Sequence, residues 1–251
     1  MPVQNKNMPL RGHLGELRKV FLVSGIAVLA LSAATFALFG DRLYEMLLAP
    51  LRQMEVPVIA TRVTETFITK IKISLIGGFI LAFPVVARQV FSFVLPALTR
   101  RERRLAYILF PLSVLLFAGG AAFAGLAVYP PALQFLLLMA GDTLTPMITV
   151  REYLSFVLAF FIPFGLVFQL PLAAYLLAGM GVISASFLAR RRKYALLAIL
   201  VLAAVLTPGP DVVTQLLMAG PMLVLYELSI LVAWLVQKAR QRRYRAAGLI
   251  S

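Results

Sequence analysis

Six apolar runs, separated by short loops that hold most of the charge, constrain this chain more than any other feature. They cover Val20 to Phe39, Ile71 to Phe93, Leu105 to Val128, Tyr153 to Met180, Ala195 to Leu206 and Val212 to Val236. About 20 consecutive apolar residues cross the ~30 Å hydrocarbon core of a bilayer as a helix. Inside that core every backbone N–H and C=O must be paired within the protein, which favours helices over irregular chain. The expected fold is therefore an all-α polytopic membrane protein with six transmembrane helices. Composition agrees: 61% of the residues are hydrophobic, mean hydropathy is +0.93 and only 14% are charged, against about 25% in soluble domains.

The net charge of +14 would fit a nucleic-acid binder, but its placement does not. The cations sit in loops beside apolar runs, where they set orientation. One side collects 18 of the 24 Lys and Arg, from Lys6, Arg11, Arg18, Lys19 and Arg88 through clusters at 100–104, 190–193 and 238–245, against the two acids Glu16 and Glu102. The other side has six cations against seven acids. The cation-rich side is read as cytoplasmic, with both termini there and an even number of spans. No nucleic-acid partner is expected. The polar segment 1–19 leads into a first helix that reads as retained, because no small-residue cleavage pattern follows it.

The fifth run looks too short, and with the sixth it is read as a short hairpin pair. Twelve residues, Ala195 to Leu206, rise only about 18 Å. Thr207-Pro208-Gly209-Pro210-Asp211 then makes a hard stop before the sixth run. In the fourth run, Pro163 and Pro171 each delete a helix hydrogen bond and should bend it. Gly119-Gly120 in the third run suits close helix approach. Ala49-Pro50-Leu51 and Pro57 mark turns in the first outer loop, residues 41–70, and Tyr129-Pro130-Pro131 opens the second, residues 129–152.

Three polar features stand out. The first cytoplasmic loop places Phe93 and Leu95 before a Pro96 break, then Arg100, Arg101, Glu102, Arg103 and Arg104. Residue types leave two readings of it. The arginines are a topology signal whose repulsion Glu102 relieves, or Glu102 is a fixed carboxylate that accepts two parallel bonds from a guanidinium. The other features are Gln169 and Glu227, polar groups inside apolar runs, where such groups are costly and seek partners. They read equally as a dock for another membrane helix, with Thr207, Thr214 and Gln215 extending it, or as internal hydrogen bonds that hold the bundle.

No enzyme constellation appears. There is one histidine, His13, and no cysteine, so neither a protein-bound zinc nor thiol chemistry is expected. No phosphate-cradling glycine motif occurs. No catalytic residue, metal or cofactor is assigned.

Taken in order, the motifs resemble the TatC family, the signal-peptide receptor subunits of the bacterial twin-arginine protein translocase. The matching elements are His13-Leu14-x-Glu16-Leu17-Arg18, Ala49-Pro50-Leu51 and Glu65-x-Phe67 leading into Lys72. They continue with Phe93-x-x-Pro96-Ala97-Leu98, Glu102-Arg103-Arg104, Tyr153-Leu154-Ser155-Phe156, Leu206-Thr207-Pro208 with Asp211 and Gln215, and Glu227. Each is weak alone; the ordered set is specific. It leaves outside only the chain beyond about residue 237, so residues 1–237 are read as a TatC-like transmembrane domain and 238–251 as a basic cytoplasmic tail.

The resemblance implies a cup-shaped six-helix receptor with short fifth and sixth helices in the bacterial inner membrane. It implies that Glu16 and Glu102 contact the paired arginines of a signal peptide, with Arg18, Phe93, Leu95, Arg103 and Arg104 shaping the site. It implies TatA-like and TatB-like single-span partners docking at Gln169, Leu206, Thr207 and Gln215 in a multimeric complex. Pro50, Glu65, Asp211 and Glu227 are its further structural or functional polar positions. Folded cargo would be exported at the expense of the proton-motive force. Many relatives carry Glu where this chain has Gln169, which offers hydrogen bonds but no charge. The competing reading is a small secondary transporter, which calls for an internal repeat and a midplane site at broken helices; no clear repeat is visible. A membrane scaffold without receptor activity is a third.

Overall fold

The computed structural model describes the backbone of residues 10–54, 56–94, 100–139, 147–207 and 211–246, and their side chains except at 10–14, 16, 94, 100–106 and 243–246. The expected helical membrane bundle is found. Five of the described helical stretches are long and apolar enough to cross a membrane, and a shorter one completes the set of six expected from the apolar runs.

Helix α1, Leu10–Gln53, is 44 residues long, about 66 Å at 1.5 Å per residue. It does not stop at Phe39 but continues through Gly40 and Asp41. The expected turn at Pro50 is corrected: Pro50 lies in the last helical turn. There a missing N–H removes one bond only, and Met54 N–H still donates to the Pro50 carbonyl at 3.2 Å. Leu48 and Leu51, on this extension, are buried in the core. Helix α2, Glu65–Val94, runs back against α1. A Cβ on Gly78 would fall within 2.5 Å of the Ser32 backbone, so only glycine permits this crossing.

Helix α3, Arg100–Phe123, passes through a π turn, Ala124–Val128, into α4, Tyr129–Met139. The loop expected to open at Tyr129 is therefore helix up to Met139. The π turn explains how two prolines are tolerated. Tyr129 N–H reaches back to Ala124 O, and Pro130 and Pro131 then occupy the first turn of α4, where missing N–H groups matter least.

A two-residue parallel ladder, absent from the all-α expectation, joins β1, Val58–Ile59, to β2, Ile148–Thr149, pairing Val58 with Ile148 and Ile59 with Thr149. The fourth run is two helices, α5, Val150–Val167, and α6, Leu170–Met180, separated at Phe168–Gln169. The break falls at Pro171, in the first turn of α6. Pro163 stays inside α5 without interrupting it. Helix α5 forms the centre of the bundle: Leu154, Phe160 and Phe164 on it are wholly buried. It packs against α2, α3 and α9.

Short helix α7, Ala185–Arg190, is capped by Ser184 Oγ, which accepts Phe187 N–H at 3.0 Å. Helix α8, Arg192–Leu206, has only 15 residues, in line with the short fifth span. The sixth differs from expectation. Helix α9, Val212–Ala246, runs 35 residues, because its apolar part continues without a breaker into the basic tail. Asp211 caps it, Oδ1 accepting Thr214 N–H at 2.6 Å.

Candidate functional site

The expected signal-peptide residues lie on three helix ends. Glu16 and Arg18 stand near the start of α1, Phe93 in the last turn of α2, and Glu102, Arg103 and Arg104 in the first turns of α3. Arg18 is exposed and Phe93 half-buried. The side chains of Glu16, Glu102, Arg103 and Arg104, and the whole of Leu95, lie outside the described residues.

Their placement follows from the packing of α1 on α2. Ser32 Oγ donates to Leu75 O at 3.4 Å, and Lys70 pairs with Asp41 further along. The same antiparallel register, carried one way along α1 to Arg18, ends at the level of Phe93 on α2. Helices α2 and α3 are locked in turn by stacked Phe83 and Phe117, 3.7 Å between centroids, and by Phe91 against Phe110. The start of α3 is thus held at the same end. The fold places the starts of α1 and α3 and the end of α2 at one end of the bundle, α2 packing against both.

At the opposite end, Glu65 clasps two loops. Its Oε2 accepts Thr61 N–H at 2.8 Å, Thr61 Oγ at 2.9 Å and Arg62 N–H at 3.3 Å, and Oε1 accepts Arg151 N–H at 2.8 Å. One carboxylate thereby fastens the entry to α2 to the entry to α5. Beside it, Tyr153 OH donates to Leu47 O at 2.8 Å and is hydrogen-bonded to Tyr129 OH. Lys72, which could have snorkelled out, donates to Ser155 Oγ at 3.3 Å.

Of the intramembrane polar residues singled out in the sequence, Gln169, Glu227, Thr207 and Gln215 find partners inside the chain, whereas the buried Thr214 hydroxyl finds none among the described residues. Gln169 sits at the α5–α6 break, and its Nε2 donates to Ser113 O on α3 at 3.1 Å. Among the described residues no donor reaches its Oε1. Glu227 is ion-paired with Arg192 at 2.7 Å. Thr207 is buried and donates to Ala203 O at 3.0 Å; Gln215 Nε2 donates to Leu200 O at 3.0 Å, tying α9 to α8. Leu206, at the end of α8, is half-buried against the core. Gln169 thus bonds to α3, whereas Thr207 and Gln215 bond to α8. Neither Glu65–Arg151 nor Arg192–Glu227 was legible beforehand, since nothing in local sequence couples residues so far apart.

The family model described as Sec-independent protein translocase protein (TatC) matches residues 12–221. The chain belongs to the TatC family. Among its relatives, the Sec-independent protein translocase protein TatC of Carboxydothermus hydrogenoformans is 46% identical over 231 residues, covering 92% of this chain and 95% of that protein. The Escherichia coli (strain K12) TatC is 39% identical over 239 residues, covering 93% and 92%. A crystal structure of the twin arginine translocase receptor TatC superimposes with a TM-score of 0.84 at 41% identity, covering 90% of this chain and 99% of that one. This TatC-family chain is accordingly a multi-pass membrane protein of protein transport, and the helix ends gathered around Arg18 and Phe93 are its candidate site.

Proposed function

We propose that the chain is the receptor and core subunit of a twin-arginine translocase, and that Glu16 and Glu102 bind the paired arginines of signal peptides on folded cargo. The observation that supports this reading is the shared end of α1, α2 and α3, where the α1–α2 register brings Arg18 to about the level of Phe93 and the first turns of α3 follow from the end of α2. Two guanidinium forks call for two fixed carboxylates, because bidentate pairing is available to arginine and not to lysine. Arg18, Arg103 and Arg104 around those acids disfavour peptides that are merely basic; Phe93 and Leu95 supply apolar contact.

The same reading places both termini in the cytoplasm of a bacterial inner membrane, with residues 1–237 as the transmembrane unit and 238–251 as a cytoplasmic tail. TatA-like and TatB-like single-span proteins dock in a multimeric complex at Gln169, whose Oε1 is open to a donor, and at Leu206, Thr207 and Gln215. Pro50, Glu65, Asp211 and Glu227 hold the frame. The proton-motive force drives transport.

The test is binding of a twin-arginine peptide and its twin-lysine counterpart to the purified chain, alone and with its partner subunits. Preference for arginine that disappears in Glu102→Gln, with membrane insertion unchanged, is the expected result. Equal binding of both peptides in the complete complex would overturn the reading.

A further inference from the structure

The chain from Ile183 to Lys193 climbs along α9 into the bundle. Ala185 N–H donates to Gln237 Oε1 at 3.2 Å, Tyr226 OH donates to Leu188 O at 2.9 Å, and Arg192 reaches Glu227 at 2.7 Å. From Gln237 to Glu227 is about ten residues of α9, about 15 Å along its axis. The exposed cations Arg190, Arg191, Arg192 and Lys193 therefore stand well above the basic end of α9. Helix α8, starting there, has 15 residues and rises only about 22 Å, against a hydrocarbon core of ~30 Å. Lipid head groups on this side must come inward to meet it.

A groove of about 490 Å³ lies at that level, between α7–α8 and α9. Ala185, Ala189, Ile230, Leu231 and Trp234 make its apolar lining, and Arg192 and Glu227 close it. Leu231 and Trp234 are about half exposed, so the groove opens sideways, toward acyl chains. Glu227 offsets one of the four cations. Arg191 lies over the Phe187 and Tyr194 rings and Lys193 over Tyr194, but among the described residues no carboxylate pairs with Arg190, Arg191 or Lys193. Arg192 is the cation that lines the groove, and its neighbours Arg191 and Lys193, which do not line it, add unpaired positive charge beside the apolar channel and the interfacial aromatics, which favour the head-group level.

We propose that this groove binds an anionic glycerophospholipid, its phosphate meeting Arg192 at the groove and drawn there by the unpaired Arg191 and Lys193 on either side of it in the chain, with one acyl chain lying along Ile230, Leu231 and Trp234. A zwitterionic lipid has the same chains but no net charge to answer the three surplus cations. A soluble phosphate answers the cations but leaves the channel unfilled.

Trp234 is the sole tryptophan, so its fluorescence reports this groove directly. The full chain is reconstituted in phosphatidylcholine vesicles containing a few per cent of chain-brominated phosphatidylglycerol or, separately, chain-brominated phosphatidylcholine. Phosphatidylglycerol should quench Trp234 with about fivefold higher relative affinity, the order expected for basic residues near an anionic lipid. Unbrominated phosphatidylglycerol should relieve the quenching, and millimolar inorganic phosphate should not. Arg191→Gln with Lys193→Gln should erase the preference while phosphatidylcholine still quenches. Equal quenching by the two lipids in the unaltered chain overturns the proposal, whether or not the double variant folds. So does relief by phosphate alone, or a preference that survives the double substitution in a folded variant.

Discussion

The Glu65 carboxylate accepts the backbone N–H of Arg151 at 2.8 Å across 86 residues of sequence. Three further donors, from Thr61 and Arg62, converge on its other oxygen. This one side chain holds together the entries to α2 and α5, and the short β1–β2 ladder is adjacent in sequence to both. Glu65→Ala removes every acceptor. It should open both loops to protease in a detergent preparation and lower thermal stability. Glu65→Gln keeps one acceptor oxygen and should do so less. Equal protease resistance of Glu65→Ala and the unaltered chain would show that the ladder alone suffices.

Tyr153 has a single proton, and it goes to Leu47 O. The bond between the two phenols must then run from Tyr129 to the Tyr153 oxygen. Tyr129→Phe loses one bond and should cost about 1 kcal/mol. Tyr153→Phe loses two and leaves the Tyr129 hydroxyl buried without an acceptor, so about 1–3 kcal/mol is expected. Thermal unfolding of the two variants in the same detergent should show that order; a larger loss for Tyr129→Phe would reverse the donor assignment.

Two neighbouring glycines on α3 should respond oppositely. A Cβ on Gly120 would lie 2.7 Å from Phe164 O and 2.9 Å from the Phe168 ring, whereas a Cβ on Gly119 would meet nothing within 4 Å. Gly120→Ala should destabilise the bundle by about 1–3 kcal/mol through overpacking. Gly119→Ala should stay within about 0.5 kcal/mol of the unaltered chain. Thermal stability of the pair checks this without reference to transport.

Gln169 and Gln215 each donate one side-chain bond to a backbone carbonyl on another helix, Ser113 O on α3 and Leu200 O on α8. Replacement of either by Leu should cost about 0.6 kcal/mol, the average for such bonds in membrane bundles. The two interfaces share no residue, so the double variant should lose the sum of the two. A marked departure from additivity in unfolding experiments would mean that α3, α5–α6 and α8–α9 move as one unit.

Hydropathy and charge order were enough to read the membrane-spanning helices, the shortness of the span at Leu206 and the orientation signal in the basic loops. Hydropathy and charge act within a few turns and can be read there. Family membership was likewise legible, because ordered motifs survive in one dimension. The tertiary structure decided what the polar residues do. Gln169 could be a dock or an internal bond until α3 brought Ser113 O to it. Glu227 was open to the same two readings until the climb of the α7 segment set Arg192 beside it. It also decided where helices end: Gly40 and Pro130–Pro131 look like stops, yet α1 continues because Leu48 and Leu51 have a core to enter, and the π turn gives the prolines a first-turn position. Each of these outcomes depends on the relative height of two helices, which is set by packing over the whole bundle and is written in no single stretch of chain.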